Sequence, residues 1–514
     1  MQSKRQGLLA HTQTQGFLIA ACSLALYVLT MPPGLLWGGG DFARYQTGAY
    51  LGSLDGEVSV LSHYLWIVFT YPIVHLVPLH DPAWRANFAT AVYAALALWF
   101  VYATAVRLTG FRLGAALAAA TLAISHTFWT YAVMPKVYSL NCLLLAACCY
   151  YLVLWRAVGQ VRWLGLAAML YGLSFLNHVV MAVNGPALAL FALLTLAGQA
   201  TSPGEKARAI GVAVGGFLIG LAPLLVLLAI PQAPNTTHSG VTGTIADFLV
   251  ALTRVALDPA AWAVGVGWAI ALGGYQFFFA AVAGIMGAIW FWRRDRAAFW
   301  LVMLSLLGTF LFLLAATYGA VGGPYIWNLH YYLQTYVPFA LLIAGGLAAL
   351  CERRPDWFAL PRVAALAAAL LLVPITVYAL APVAARPFLA DIPDFRPLPG
   401  RDNLVYVLSP WKQQETGARL LGERVLDYLP PDSTYIADYS IWAVIRYLMV
   451  VENQRPDIRL VLLEGDQAAV VAAADQGGPL FLADTYRYYD LAAIERTYTV
   501  EPAGPAYRLL RKQP

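Results

Sequence analysis

The sequence predicts a mainly α-helical, polytopic membrane bundle of about 11 spans with an interfacial helix on its outer face, followed by a small C-terminal α/β domain outside the membrane. Three observations predict it. Hydrophobic residues make up 60% of the 514-residue chain and charged residues 11%, with a mean hydropathy of +0.65, more apolar side chain than one soluble core can hide. Apolar runs recur at lengths of about 20 residues, each able to bridge the roughly 30 Å hydrocarbon layer as a helix with its backbone hydrogen bonds satisfied internally. After Ala381 the acids and prolines accumulate, and short β-type runs replace the long apolar ones.

The net charge of +5 says little about nucleic acid, and no nucleic-acid partner is expected; what matters is where the basic residues fall. Lys4 and Arg5, Arg107 and Arg112, Arg156 and Arg162, Lys206 and Arg208, the Arg293 to Arg296 cluster, and Arg353, Arg354 and Arg362 all occupy short loops. Spans at about 16–36, 84–106, 113–131, 139–155, 163–177, 182–199, 209–230, 267–291, 298–318, 330–350 and 363–381 put every cluster on the cytoplasmic side. The N-terminus is then cytoplasmic and the C-terminus outside, as in a multi-pass protein of an inner (plasma) membrane. The run from His63 to Leu79 is apolar enough to span, yet counting it as a crossing would invert every later loop. It reads instead as a helix at the outer interface, where Tyr64, Trp66, Tyr71, Pro72 and His75 suit the headgroup level. The first span lacks a small-residue cleavage site and is expected to be retained.

This topology gathers polar residues on one side. Asp41, Arg44, Asp55, Glu57 and His63 lie in the first outer loop, Lys136 and Tyr138 in the second, and Asn177 with His178 in the third. Each has an ordinary explanation: an acid after a span is solvated, a lone His packs at a helix end, and a Lys snorkels. Together they describe a polar cavity at the outer leaflet, where ionisable groups are candidates for function. The segment 322–336 adds Tyr325, Trp327, His330, Tyr331 and Tyr332, which read first as an interface belt and second as sugar-stacking rings. The loop 231–262 contributes Arg254, a phosphate contact or a headgroup-facing cation.

Residues 382–514 carry β-type runs at 434–438, 458–464 and 479–484 between helical stretches, which suggests a small parallel sheet with Asp438 and Asp484 at strand ends. The five cysteines all lie in or beside spans, so no disulfide framework is expected to support this region. Neither a nucleotide-sugar motif nor a phosphate loop nor a metal-ligand cluster is readable. No cofactor is therefore expected, and metal dependence stays open.

The order GGGDFARYQTGAYLGS, DPAWRANFATAVYAALALWFVYATAVRLTG, SHTFWTYAVMPKVYSLNCLLLAACCYYLVLW and GLSFLNHVVMAVNGPALAL resembles the N-terminal half of bacterial membrane proteins related to transmembrane protein 260. That family is a branch of the protein O-mannosyltransferase-like enzymes in the GT-C glycosyltransferase superfamily. LPPDSTYIADYSIWAVIRYLMVVENQRPDIRLVLLEG is similar to a C-terminal stretch of the same family. The resemblance implies a GT-C fold in which an acid of the first outer loop, matched here by Asp41, serves transfer of a sugar from a polyprenyl-phosphate donor to a protein, lipid or glycan acceptor at the bilayer. A carboxylate there suits a general base, and a nearby cation, Lys136 or Arg44, suits the leaving phosphate.

The departures are also informative. DFAR stands where the family commonly has D-S-G-E, and MPKVYSLN where it has A-E-V-Y-A-L-N, so Arg44 and Lys136 replace acids and raise the positive potential around Asp41. The expectation is a membrane glycosyltransferase. Its competitors are an inactive GT-C scaffold, supported by those lost acids, and a transporter, disfavoured by the lack of charges deep in the spans.

Overall fold

The structure, a computed structural model, describes residues 2–38, 41–53, 63–200, 202–229, 250, 253, 257–321, 330–390, 392 and 395–512. Asp55, Glu57, Arg254, Tyr325 and Trp327 lie outside the described residues. The helices, in chain order, are α1 (Gln2–Thr30), α2 (Phe42–Leu51), α3 (Tyr64–Leu76), α4 (Pro82–Thr109), α5 (Arg112–Ile124), α6 (His126–Ala132), α7 (Tyr138–Val158), α8 (Val161–Ser174), α9 (Gly185–Gly198) and α10 (Pro203–Ala229). They continue with α11 (Pro259–Phe277), α12 (Ala280–Arg294), α13 (Arg296–Val321), α14 (Leu333–Arg353) and α15 (Arg362–Ala385). Beyond these come α16 (Asn403–Leu408), α17 (Gly417–Tyr428), β1 (Thr434–Ala437), α18 (Tyr439–Val451), β2 (Arg459–Leu462), α19 (Gln467–Ala474), β3 (Leu480–Leu482), α20 (Leu491–Ile494), β4 (Tyr498–Ala503) and β5 (Ala506–Arg511).

Among the described residues, seven helices are long and apolar enough to cross a bilayer, or nine if each of two bent pairs counts once. The expected spans over 163–177 and 298–318 are not in that number: the first is the 14-residue α8, and in the second the described apolar stretch is Arg296–Phe312. Two runs expected to be straight are broken. The α5–α6 pair bends by 68° at Ser125, and the α11–α12 pair by 110° at Phe278, whose φ of 45° ends α11. Polar partners accompany the first bend: Thr127 N–H donates to Gln276 Oε1 at 2.8 Å, and the Ser125 hydroxyl to Leu122 O at 2.9 Å. The α3 helix has 13 residues, roughly 20 Å at 1.5 Å per residue, too short to cross a 30 Å layer. The α8 and α10 helices pack through glycine: a Cβ on Gly220 would lie 2.0 Å from Met169 O, and one on Gly216 2.4 Å from Gly165 O. Small residues bring helix backbones together where lipid supplies no hydrophobic drive.

The C-terminal sheet has the order β2-β1-β3-β5-β4. Strands β1, β2 and β3 are parallel, as the sequence suggests, but β4 and β5 extend the sheet as an antiparallel hairpin. Its two-residue turn is Gly504-Pro505, with Gly504 at φ 61°, a conformation suited to glycine. The sheet's core includes Tyr435, Ile436, Val444 and Phe481 and also Leu35, Trp37, Ala43 and Ala83. The residues after α15 thus share one apolar core with the loop after α1.

Candidate active site

Two buried amides shape the segment leading to Asp41. Gln46 accepts from Leu36 N–H at 3.0 Å and donates to Gly34 O at 3.1 Å and to Asn87 Oδ1 at 2.9 Å. Asn87 also donates to Gly34 O, at 3.1 Å. Pro32 and Pro33 follow the end of α1 and prevent it from continuing. Gly38 then lies against α18, donating its N–H to Ser440 O at 3.0 Å, and a Cβ there would meet Tyr439 O at 2.5 Å. Asp41 donates its N–H to Gly38 O at 2.7 Å and accepts from Tyr45 N–H at 2.9 Å, which starts α2. Its φ of 67° is left-handed, uncommon for any residue with a Cβ and costing of order 1–3 kcal/mol unless its surroundings hold it. Here α2 on one side and α18 on the other hold it.

The Asp41 carboxylate faces two ways. Lys136 Nζ donates to Oδ2 at 3.5 Å, and the Tyr439 hydroxyl donates to Oδ1 at 3.0 Å. Their exposures are unequal: the Lys136 side chain is 8% exposed and that of Asp41 44%. Burial lowers the Lys136 pKa from its usual value, and the charge of Asp41 opposes the shift. Burial, and then the same charge, raise the Tyr439 hydroxyl far above the usual phenol range, so it stays a donor.

Rings line the space beside this pair. His63 sits 5.3 Å from His178 and 5.6 Å from Tyr45 between ring centres, and Tyr138 lies 5.7 Å from His178, 4.7 Å from His330 and 5.5 Å from Tyr331. Lys136 Nζ is 5.9 Å from the Tyr138 ring centre and 5.6 Å from that of Phe42. His178 Nδ1 accepts from Val180 N–H at 3.1 Å, and His330 Nδ1 shares a hydrogen bond of 3.2 Å with the Tyr131 hydroxyl. Burial, and then the Lys136 charge, lower the His178 pKa to about 4; burial leads the lowering of His63 too, followed by His178, Lys136 and Arg44. The His63 and His178 imidazoles are therefore neutral at pH 7. No group of three or more metal-ligating side chains is found among the described residues.

Asp41, Arg44, His63, Lys136, Tyr138, His178 and His330 therefore meet, as the shared side of the topology predicts. Asn177 makes structural contacts, its Nδ2 donating to Val137 O at 3.0 Å and Asn141 Oδ1 at 2.5 Å and its backbone carbonyl accepting from His63 N–H at 2.7 Å, while its buried Oδ1 has no partner among the described residues. His330 and Tyr331, from the segment read first as an interface belt, pack on Tyr138. The strand-end acids are not free, because the buried Arg396 donates to Asp438 Oδ1 and to Asp484 Oδ2, both at 2.5 Å, although Asp484 stays partly exposed. Sequence reading misses Tyr439, 398 residues from Asp41, and Tyr45. The one local signal for Tyr439 is its place just after the Asp438 cap of an apolar helix.

Comparison with solved structures shows the fold. The chain has the fold of ArnT from Cupriavidus metallidurans, at a TM-score of 0.58 and 15% identity over 96% of both chains. It also matches the Archaeoglobus fulgidus oligosaccharyltransferase tethered to an acceptor peptide containing the NVT sequon, at 0.50 and 13% identity, over 98% of this chain and 74% of that one. This is the GT-C glycosyltransferase fold. More particularly, residues 65–202 match the family model of the protein O-mannosyl-transferase TMEM260 N-terminal domain, which bears out the resemblance read from the sequence. Lys136, Asn177 and His178 lie within the matched residues, and Asp41 lies before them.

Proposed function

We propose that this protein transfers a sugar from a polyprenyl-phosphate donor to a protein, lipid or glycan acceptor on the outer face of the membrane, with Asp41 as general base. The observation that carries the reading is the half-exposed Asp41 carboxylate, one oxygen against the buried Lys136 and the other against Tyr439, beside a cluster of rings. The acceptor hydroxyl gives its proton to Asp41 while its oxygen bonds to the anomeric carbon. The bond from that carbon to the phosphate oxygen breaks, and its electron pair leaves with the lipid phosphate. Lys136, with Arg44 nearby, stabilises the charge that develops there. A desolvated ammonium with one loose partner gains from a second anion. In this reading residues 1–381 form the transferase domain, and 382–514 an α/β domain on the outer face that recognises the acceptor.

The test is transfer of radiolabelled sugar from a panel of polyprenyl-phosphate sugars by purified protein with membrane extract, comparing the parent with Asp41→Asn. Loss by a factor of ~100 or more is expected on removal of a general base. Equal rates would take Asp41 out of the chemistry. Arg44 and Lys136, standing where relatives have acids, favour a second reading, an inactive scaffold for lipid-linked glycan; donor binding without turnover in the parent would select it.

A further inference from the structure

At the end of the bundle away from Asp41, α12 and α14 enclose a second polar site. The α14 helix starts beside His330 and Tyr331, which pack on Tyr138, and its 21 residues carry it roughly 30 Å to Arg353. Glycines press the two helices together midway: a Cβ on Gly287 would lie 1.8 Å from Leu342 O, and one on Gly346 1.8 Å from Ala283 O. Past that contact a cavity of about 220 Å³ opens, with Met286, Ile289, Arg293, Arg294, Glu352 and Arg353 in its lining. Arg294 donates to Glu352 Oε2 at 3.0 Å, and the Trp290 indole N–H donates to the same oxygen at 3.3 Å. The one acid of the lining is thereby taken. Among the described residues no hydrogen bond or ion pair engages the side chain of Arg293 or Arg353. The positive-inside rule and the helix dipole explain a basic residue at each helix end, but neither makes three of them converge on one cavity with a single acid.

The cavity opens onto an apolar stripe. Val282, Ile285, Ile289 and Arg293 follow the i, i+3, i+7, i+11 spacing of one helix face, and the three apolar side chains are all exposed. From Arg293 back to Val282 the stripe runs roughly 16 Å at 1.5 Å per residue, about one leaflet of a 30 Å hydrocarbon layer. On its other flank, Trp292, Trp300, Met303, Leu304 and Leu307 line an apolar groove of about 360 Å³ between α12 and α13. We propose that this end of α12 binds an anionic glycerophospholipid, with Arg293 and Arg353 on its headgroup phosphate and its two acyl chains on the stripe and in the groove. Guanidinium forks match phosphate oxygens. Three arginines against one glutamate favour an anionic headgroup over a zwitterionic one, whose own cation they repel. A soluble phosphate would leave the stripe and the groove uncovered. The site lies at the far membrane boundary from Asp41 and does not depend on the role given to that residue.

The test is native mass spectrometry of the full-length protein in detergent, titrated with phosphatidylglycerol or phosphatidylcholine, with inorganic phosphate and an acidic peptide as competitors. Phosphatidylglycerol is expected to bind ~10-fold tighter or more, the scale of a charged hydrogen bond. Arg293→Gln combined with Arg353→Gln should erase that preference. The same pair changed to Lys keeps the charge and should lose less, which separates a local loss from misfolding. Ile289→Ser should weaken both lipids alike. Arg208→Gln, an exposed change in the basic cluster of α10, should leave both affinities as in the parent. Equal binding of the two lipids by the parent, or no binding of either, would overturn the proposal. So would an effect of Arg208→Gln as large as that of the paired change, since the preference would then belong to the overall surface charge. Displacement of phosphatidylglycerol by an equal concentration of phosphate would overturn it in favour of a free-anion site, and displacement by the peptide in favour of a protein partner.

Discussion

Lys136 is the buried member of its ion pair, and that asymmetry sets the effect of removing it. Replacing it leaves behind an acid that water already reaches, so Lys136→Gln should cost little stability. It should nevertheless lower kcat/KM for the donor by about 100-fold, the usual scale for losing a donor aimed at developing charge. Thermal melting and donor kinetics on the same preparation check both halves. His178 makes a pH prediction. Its folded pKa of about 4 lies below the usual 6.5, so the unfolded chain binds more protons between those values and stability rises with pH there. The melting temperature should fall as pH drops from about 6.5 towards 4, less steeply in His178→Gln, and no step from His178 should mark the transfer rate between pH 5 and 8. Asp41, Lys136 and His178 were legible because a charge or imidazole at a span end stands out against apolar sequence. Tyr439 was not, because a tyrosine opening an amphipathic helix looks like any core residue.

Arg396 acts at the scale of elements. It ties the irregular segment between α15 and α16 to the ends of β1 and β3, with its side chain 5% exposed and those of Asp438 and Asp484 13% and 32%. Removing one partner of a buried pair costs about 3–5 kcal/mol, and the partial exposure of Asp484 argues for the lower end. Arg396→Ala should therefore lower the unfolding free energy of the sheet by about 3 kcal/mol. Arg396→Lys should recover only part, since a point charge cannot reach both acids as a guanidinium fork does. Hydrogen exchange at β1 and β3 reads the difference. The three parallel strands were legible from their β-branched and aliphatic runs, whereas Pro502 and Pro505 disguised the β4–β5 hairpin. The bends at Ser125 and Phe278 were hidden because both interrupt apolar runs without a charge or a proline at the break.

For the whole molecule, composition and the spacing of apolar runs were enough to reveal a helical membrane bundle followed by a mixed α/β region, because lipid leaves a chain few options. The site was legible only as a shared side. Period and propensity describe neighbours in sequence, whereas Lys136 and Tyr439 reach Asp41 from 95 and 398 residues away. That second distance bears on how the protein is made. At ~5–20 residues per second, the Asp41 carboxylate waits roughly 20–80 s of synthesis for its phenol partner, and Gly38 waits as long for the backbone that docks it. During that interval the growing chain holds the carboxylate and lysine half of the cluster without the helix that completes it. The part of the chain from Tyr439 onward thus acts as a completion signal, withholding a finished cluster from every nascent or truncated copy that lacks it.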